Sequence, residues 1–337
     1  MKSPITGKEM KLVRERRTMN FRKEEFDIMY HHYLCEDSGE TFEDEQCIQI
    51  NLTQVHNLYR EKYNLPFTEE IIALREQYDL NASKMAAVLG FGVNVWRAYE
   101  AGEIPNVSNG RLIQLVKDPE EFHKLLKISG VLSDAEMKKA EKTLNKLLEE
   151  KAILQQHDAQ GFFFGHPAPN RFTGYKLPNL AKFHQMVRYF VEQDSPWKVK
   201  LNKLLFYADF LHFRRTGFGI SGAQYVAIQM GPVPKYFDGL FGEAVSQGIL
   251  DLEIMHFDNG AGELFRPGSQ PFMPNIFTPE ELMTLEQVIQ RFRKTSTKEI
   301  IELSHQEKGW LERIEGKKGV EYFWGWELVG VGVSETF

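Results

Sequence analysis

The pattern of apolar and polar positions divides the chain into a β-rich beginning and a mainly helical remainder. From residue 66 onward, apolar residues recur at the three- and four-residue spacing that is typical of helices. Residues 1–62 predict instead a small β-rich unit, and we expect its core to consist of Phe21, Phe26, Ile28, Tyr30, Tyr33 and Phe42. The expected fold class is therefore a multidomain, mainly α protein.

Residues 81–105 contain two short helical patterns joined by a glycine-containing turn. Ser83 is the predicted N-cap of the first helix, which places on one face Met85, Val88 and Leu89. Gly90 interrupts it, Asn94 is the predicted cap of a second helix over residues 95–101, and Gly102 ends that helix. Such a pair predicts a helix-turn-helix, whose second helix fits a DNA major groove. A small helical bundle that binds no DNA is the alternative.

Further helices are predicted on both sides of this pair. Thr68 is a candidate cap upstream, Ser108 is one downstream, and Asp118 followed by Pro119 has the pattern of another helix start. Together they give about five short helices, a size normal for a DNA-binding domain. We place this predicted domain at residues 66–130.

The rest of the chain predicts a connector and a last domain. Residues 131–178 begin with a capping box at Ser133 and an amphipathic helix, which either packs within the chain or pairs with a second copy. Residues 179–337 predict an α+β, mostly helical domain with strand-like segments at 225–230 and 249–257. The residues between 257 and 261 predict a hairpin turn.

Composition and charge limit the functions that fit this chain. Of its 337 residues 42% are hydrophobic, and the net charge is −6, which argues against a general nucleic-acid binder but not against a specific one. Residues 66–122 hold nine acidic and five basic residues, so DNA binding is expected to need a homodimer on two half-sites. The beginning of the chain has no signal-peptide pattern, and no apolar run approaches the ~18 residues that span a membrane. We expect a cytoplasmic protein.

Two segments near the beginning have the pattern of zinc knuckles without their cysteines. In each, two residues three apart are followed by glycine, and the four positions are Ser3, Thr6, Cys35 and Ser38. Because hydroxyls are poor zinc ligands, we interpret this as a metal-site scaffold that holds no metal. A different ligand set is the alternative, consisting of Cys35, Cys47, His31 and His32.

These knuckles, followed by Gly-Phe-Gly-Val-Asn-Val-Trp-Arg-Ala-Tyr-Glu-Ala-Gly at residues 90–102, resemble the MqsA-type antitoxins. That family has an N-terminal zinc domain and a helix-turn-helix, and it implies a dimer that represses its own operon. Asn94 matches the family's base-reading Asn, whereas the family's Arg position is Ala98 here and Arg97 precedes it. The predicted DNA contacts are Asn94, Trp96 and Arg97 at the groove and Lys84 on a phosphate.

The last domain resembles a second family, the Panacea domain of SocA-type antitoxins. The matching segments are residues 200–209 (Lys-Leu-Asn-Lys-Leu-Leu-Phe-Tyr-Ala-Asp), 222–225 (Gly-Ala-Gln-Tyr) and 231–234 (Gly-Pro-Val-Pro), with Ser304, His305 and Trp310 later. The resemblance implies direct binding and neutralisation of a cognate protein toxin. The candidate toxin-binding residues are Tyr207, Phe218, Tyr225 and Tyr236.

We expect no enzymatic activity and no cofactor, because no phosphate loop, HExxH or GxSxG motif is present. Asp209 on its apolar helix is better explained as a buried structural carboxylate than as a catalytic one. The sequence therefore predicts an antitoxin that also represses its own operon. A transcriptional regulator whose C-terminal domain senses a small ligand is the alternative.

Overall fold

The computed structural model describes residues 1–154, 158–257 and 260–332, with side-chain positions outside 150–157. The chain forms two compact units. Unit 1 combines Met1–Val55 with Gln160–Phe337, and unit 2 is His56–Ala159. Helices dominate both, and the small sheets are antiparallel, which confirms the predicted fold class. The predicted β-rich beginning is thus grouped with the C-terminal domain.

The chain begins with a three-stranded antiparallel sheet and one helix. These elements are β1 (Lys11–Phe21), β2 (Glu24–Leu34), β3 (Thr41–Phe42) and α1 (Glu45–Tyr63). β1 and β2 pair from Lys11 opposite Leu34 to Phe21 opposite Glu24. The two residues between them, Arg22 and Lys23, both have positive φ, as a tight type I′ turn requires.

Side chains distant in sequence complete the core of these strands. The Gln54 side chain of α1 bonds both backbone groups of Met29, at 2.9 and 2.8 Å. The His31 ring meets the edge of Trp326, with ring centroids 5.0 Å apart. The Arg16 guanidinium lies 5.3 Å from the centre of the Phe323 ring. The first strands of unit 1 therefore pack against residues near the C-terminal end of the same unit.

The described part of unit 2 contains helices and no strands, and it is built on one hydrophobic core. After the end of α1, its helices are α2 (Thr68–Gln77), α3 (Ala82–Val88), α4 (Val95–Glu100), α5 (Val107–Leu115), α6 (Pro119–Ser129) and α7 (Asp134–Leu154). The rings of Tyr78 and Phe122 stack in this core, with their centroids 3.8 Å apart. Ala140 and Leu144 of α7 belong to the same core. The apolar stripe of α7 is thus used within the chain.

The predicted starts of three helices in unit 2 are displaced by one or two residues. The N-caps lie before the predicted ones at Thr68, Ser83 and Ser108, and are Phe67, Asn81 and Asn106. Both asparagines accept a hydrogen bond from the amide three residues on. The predicted cap Asp118 is confirmed, since it accepts a bond from the Glu120 amide. At two of the three displaced starts an amide side chain caps the helix where a hydroxyl was expected, and at the third the N-cap residue is Phe67.

The C-terminal part of unit 1 surrounds one buried helix. Its elements are α8 (Ala159–Phe164), α9 (Leu180–Asp194), α10 (Lys198–Thr216), β4 (Tyr225–Ile228), β5 (Gly231–Pro234), α11 (Phe237–Ser246), β6 (Leu250–Phe257), β7 (Gly260–Pro267), α12 (Pro279–Phe292), α13 (Thr297–Ser304), α14 (Lys308–Leu311) and β8 (Gly319–Val320). Every residue of α10 from Lys200 to Arg214 is buried. β4 lies between β5 and β8, and β6 pairs with β7. Within the described residues, no helix is both long and apolar enough to cross a membrane.

Candidate functional site

The helix pair α3 and α4 presents polar side chains on a packed base. Gly90, with φ +70°, lies at the turn after α3, and Gly102, with φ +104°, follows α4. Asn94 occupies the N-cap of α4, but its side chain makes no capping hydrogen bond and is exposed. The Arg97 side chain is also exposed, and its Nη2 donates to Ser83 Oγ at 3.2 Å. Asn94 and Arg97, two of the residues predicted at the groove, therefore face solvent.

Lys84, the predicted phosphate contact, is held by an acidic neighbour. Its Nζ lies 3.2 Å from a carboxylate oxygen of Glu136, in the first turn of α7. The amide and hydroxyl of Ser133 donate to Glu136, and with Lys84 they lower the pKa of that carboxyl to about 2. A DNA phosphate would therefore compete with the Glu136 carboxylate for the Lys84 ammonium.

Trp96 does not belong to the exposed surface of α4, which corrects the sequence prediction. The ring is fully buried in the core of unit 2, and its Nε1 donates to Glu100 Oε1 at 2.8 Å. A side chain without exposed surface cannot reach a base without unfolding its surroundings. The candidate DNA surface is thereby reduced to Lys84, Asn94 and Arg97.

Two of the four candidate toxin-binding aromatics are likewise core residues. Tyr207 and Tyr225 are fully buried, and the Tyr207 ring stacks on Phe292 at 4.6 Å. We therefore remove both from the candidate surface. Phe218 is half-buried under the Lys176 ammonium, 5.4 Å from the ring centre. Tyr236 is 57% exposed and precedes α11 with φ +61°.

Asp209 organises the polar interior of the C-terminal domain. Its Oδ1 accepts the amides of Ile220 and Ser221, at 2.7 and 3.0 Å. Its Oδ2 accepts the hydroxyls of Ser221 and Tyr225, at 2.6 and 2.7 Å. Burial raises the pKa of this carboxyl, while the four donors oppose that shift. With every lone-pair direction occupied, Asp209 ties α10 to the segment before β4.

Lys203, one turn before Tyr207, is fully enclosed in the same domain. Its Nζ donates to the carbonyl oxygen of Pro232 at 2.9 Å. Burial lowers the pKa of this ammonium to about 7. Gly231 has φ +96°, and a Cβ there would lie 2.8 Å from the lysine Nζ and 2.4 Å from Ser304 Oγ. The glycine is therefore required by the lysine beside it.

The four knuckle positions do come together at the beginning of unit 1. The amides of Gly7 and Gly39 close equivalent turns onto the carbonyls of Ser3 and Cys35, at 2.9 and 2.8 Å. Thr6 Oγ1 lies 3.4 Å from Cys35 Sγ. Hydrogen bonds from Ser3, Ser38 and Thr6 lower the pKa of the Cys35 thiol to about 6. Hydroxyls surround the sulfur where a second knuckle would supply thiolates.

The alternative metal-ligand set does not converge. Among the residues that the structure describes, no group of three or more His, Cys, Asp and Glu is placed to hold a metal. Burial lowers the pKa of His31 to about 3, while burial raises that of Cys47 to about 12. A thiol with a raised pKa is a poor source of the thiolate that metals require.

The hairpin of β6 and β7 exposes apolar side chains, which the sequence analysis did not anticipate. Four apolar residues of β6 are exposed to between 38 and 56%: Leu252, Ile254, Met255 and Phe257. The hairpin was predicted, but its predicted turn includes residues 258 and 259, which lie outside the described residues. Acidic residues alternate with Leu252 and Ile254. That alternation is typical of a half-buried strand, so the sequence contained no sign that both faces of β6 are exposed to water.

Residues 201–311 match the model of the SocA-like antitoxin family, Panacea domain. This match confirms the predicted Panacea domain and supports an antitoxin-type role for the chain. It covers α10 from Leu201 onward and every element from β4 to α14, including the exposed hairpin. No curated protein and no solved structure matches the chain.

Proposed function

We propose that this chain is a cytoplasmic antitoxin that neutralises a cognate protein toxin by direct binding through residues 179–337. The match of residues 201–311 to the SocA-like antitoxin family is the observation that carries this proposal. Neutralisation requires contact and no chemical reaction. The full use of Asp209 in structural hydrogen bonds supports binding over catalysis.

We further propose that unit 2 represses the operon of the chain through a helix-turn-helix formed by α3 and α4. The exposure of Asn94 and Arg97 at the beginning of α4 supports this, because base-reading side chains lie at that end of a recognition helix. Acidic residues outnumber basic ones in this region, so one copy neutralises few phosphates. A homodimer on two half-sites is therefore part of the proposal.

Co-expression tests the antitoxin role. The open reading frame next to the gene of this protein is expressed alone and together with the full chain. We expect growth arrest in the first case and normal growth in the second, with the two purified proteins forming a complex. If the neighbouring product is harmless, or stays toxic in the presence of this chain, the antitoxin role is excluded.

A double substitution tests the division of labour between the units. Asn94→Ala with Arg97→Ala should abolish binding to the DNA upstream of the operon in a mobility-shift assay, while toxin rescue is retained. Arg111→Ala is the matched control, because it removes an exposed arginine from α5 of the same unit. Equal DNA binding by the double variant and the control would remove α4 from the DNA interface. Loss of rescue by a folded double variant would contradict the separation of roles.

A further inference from the structure

We propose that the outer edge of β6 is the toxin-docking site, where an extended segment of the toxin pairs as an added strand. This inference rests on the proposed antitoxin function and specifies where and how the partner binds. Strand addition to an open sheet edge is a general mode of protein recognition. Backbone hydrogen bonds supply affinity in this mode, and alternate side chains supply specificity.

β7 occupies one edge of β6, and the other edge is open as far as the described residues extend. It pairs with β7 without interruption from Leu250 opposite Pro267 to Phe257 opposite Gly260. The far side of β7 is met at Leu264 by the backbone of Trp197. Within the described residues, no strand pairs with the other side of β6. The hairpin therefore presents a row of backbone donors and acceptors along its outer strand.

The sequence of β6 protects this edge only in its first half. Natural proteins shield edge strands with charged side chains, especially lysines, or with prolines, bulges or very short strands. β6 is eight residues long, contains neither lysine nor proline, and pairs with β7 without a bulge. Ile254, in its middle, is 56% exposed. The carboxylates of β6, Asp251 and Glu253, lie in its first half, and residues 254–257 contain no acidic residue, lysine or arginine. An open, regular edge with such a stretch is a liability in a monomer, and this supports its use by a partner.

Charge defines the chemistry of the added strand. Residues 250–267 contain one basic residue, Arg266, and four acidic residues, Asp251, Glu253, Asp258 and Glu263. Arg266 pairs with Glu253 at 3.1 Å. Lys198 is shared between Glu263 and Asp238 of α11. Acidic charge remains in excess, so the complementary segment alternates apolar with basic side chains.

The hairpin is held in place before a partner arrives. The Trp197 ring meets Phe257 of β6 with centroids 5.7 Å apart, and it fills the space beside Gly262 of β7. On the body of the domain, Phe241 of α11 meets Phe265 of β7 at 5.3 Å. A fixed edge loses little conformational entropy on binding, which favours affinity.

A charge substitution with a matched control tests the docking site. The probe is the purified product of the adjacent open reading frame, once the wild-type chain is seen to relieve its toxicity. Ile254→Lys should weaken binding by about tenfold or more, because it places a buried charge in the interface. Met283→Lys on α12, where Met283 is 53% exposed, should change affinity by less than about twofold. Circular dichroism checks that each variant is folded. If Ile254→Lys does not fold, Ile254→Thr is used in its place, because threonine keeps a β-branched side chain.

Hydrogen exchange tests the pairing itself. On addition of the toxin, outward-facing amides within residues 251–257 should exchange at least about tenfold more slowly, since each gains a hydrogen-bond partner. Unchanged exchange and unchanged affinity of Ile254→Lys, with wild-type neutralisation intact, overturn this inference and leave the antitoxin role standing. Absence of neutralisation by the wild type overturns both. Self-association that Ile254→Lys abolishes would assign the edge to a second copy of this chain and overturn the toxin as its occupant.

Discussion

Unit 2 is one continuous stretch of the chain, whereas unit 1 is assembled from two stretches, one before and one after unit 2 in the sequence. The core of unit 2 is supplied by residues from Ile71 to Leu144. The first strands of unit 1, in contrast, pack against Phe323 and Trp326 at the other end of the chain. Because its core is internal, unit 2 has what a domain needs to fold without residues from the rest of the chain. The β-rich beginning has no such independence.

The knuckles explain why the beginning of unit 1 needs distant residues. A domain of about 60 residues buries little apolar surface and usually depends on a metal or disulfides for stability. Here the sulfur of Cys35 is surrounded by hydroxyls, and its nearest cysteine in sequence, Cys47, is a free thiol. Packing against the C-terminal residues replaces the stabilisation that a metal would give.

The largest expected effect is a difference between fragments. Residues 56–159 expressed alone should unfold cooperatively, because their core is internal, whereas residues 1–55 alone should show no cooperative transition. Circular dichroism during urea titration measures both. A folded 1–55 fragment, or an unfolded 56–159 fragment, would reverse the comparison between the units.

A metal-restoring variant of the same fragment sharpens this test. Ser3→Cys, Thr6→Cys and Ser38→Cys, together with Cys35, should create a four-thiolate site and make the fold of residues 1–55 depend on Zn²⁺. Cobalt substitution with absorption spectroscopy detects tetrahedral thiolate ligation. The unsubstituted fragment is the control, and an unresponsive triple variant would show that the knuckles no longer have the required geometry.

Next in size are two core substitutions, one in each unit. Trp96→Ala should destabilise unit 2 by about 3–5 kcal/mol, because it leaves a large cavity. Asp209→Ala should destabilise unit 1 by about 3 kcal/mol or more, because it leaves four buried hydrogen-bond donors without their acceptor. Hydrogen exchange followed by mass spectrometry reports each unit separately. Equal loosening of both units by either variant would indicate one cooperative molecule instead of two.

The smallest effect is the dependence of unit 1 on pH. Burial lowers the pKa of His31 and of His212 to about 3. Between pH 6.5 and about 3 the unfolded chain therefore binds protons that the folded chain does not. The free energy of unfolding decreases as the pH is lowered through this range. We expect a loss of ~2 kcal/mol per histidine between pH 7.5 and 5. His212→Gln should remove one such contribution in urea titrations at the two pH values, and an unchanged pH slope would contradict this assignment.

Local patterns predicted much of this molecule. The glycine turn and the short helices of unit 2 follow from capping and apolar spacing, which act within a few residues. The knuckle positions also follow from local spacing, and the structure brings Thr6 and Cys35 into contact. The exposure of Asn94 and Arg97 agrees with their placement at the beginning of a helix.

The roles of aromatic residues could not be predicted in this way. Trp96, Tyr207 and Tyr225 have the chemistry of interface residues, but the same chemistry drives them into cores. Only the surrounding packing distinguishes the two outcomes, and that depends on residues far apart in sequence. The same limit applies to the contact between His31 and Trp326, which no local pattern contains.

Lys203 gives the C-terminal domain a built-in chemical reporter of its integrity. An amine with no exposed surface is out of reach of acylating reagents, even though burial lowers its pKa to about 7. Surface lysines such as Lys298 react in any state. Acylation detected at Lys203, in addition to the surface lysines, therefore marks molecules whose Panacea domain has opened.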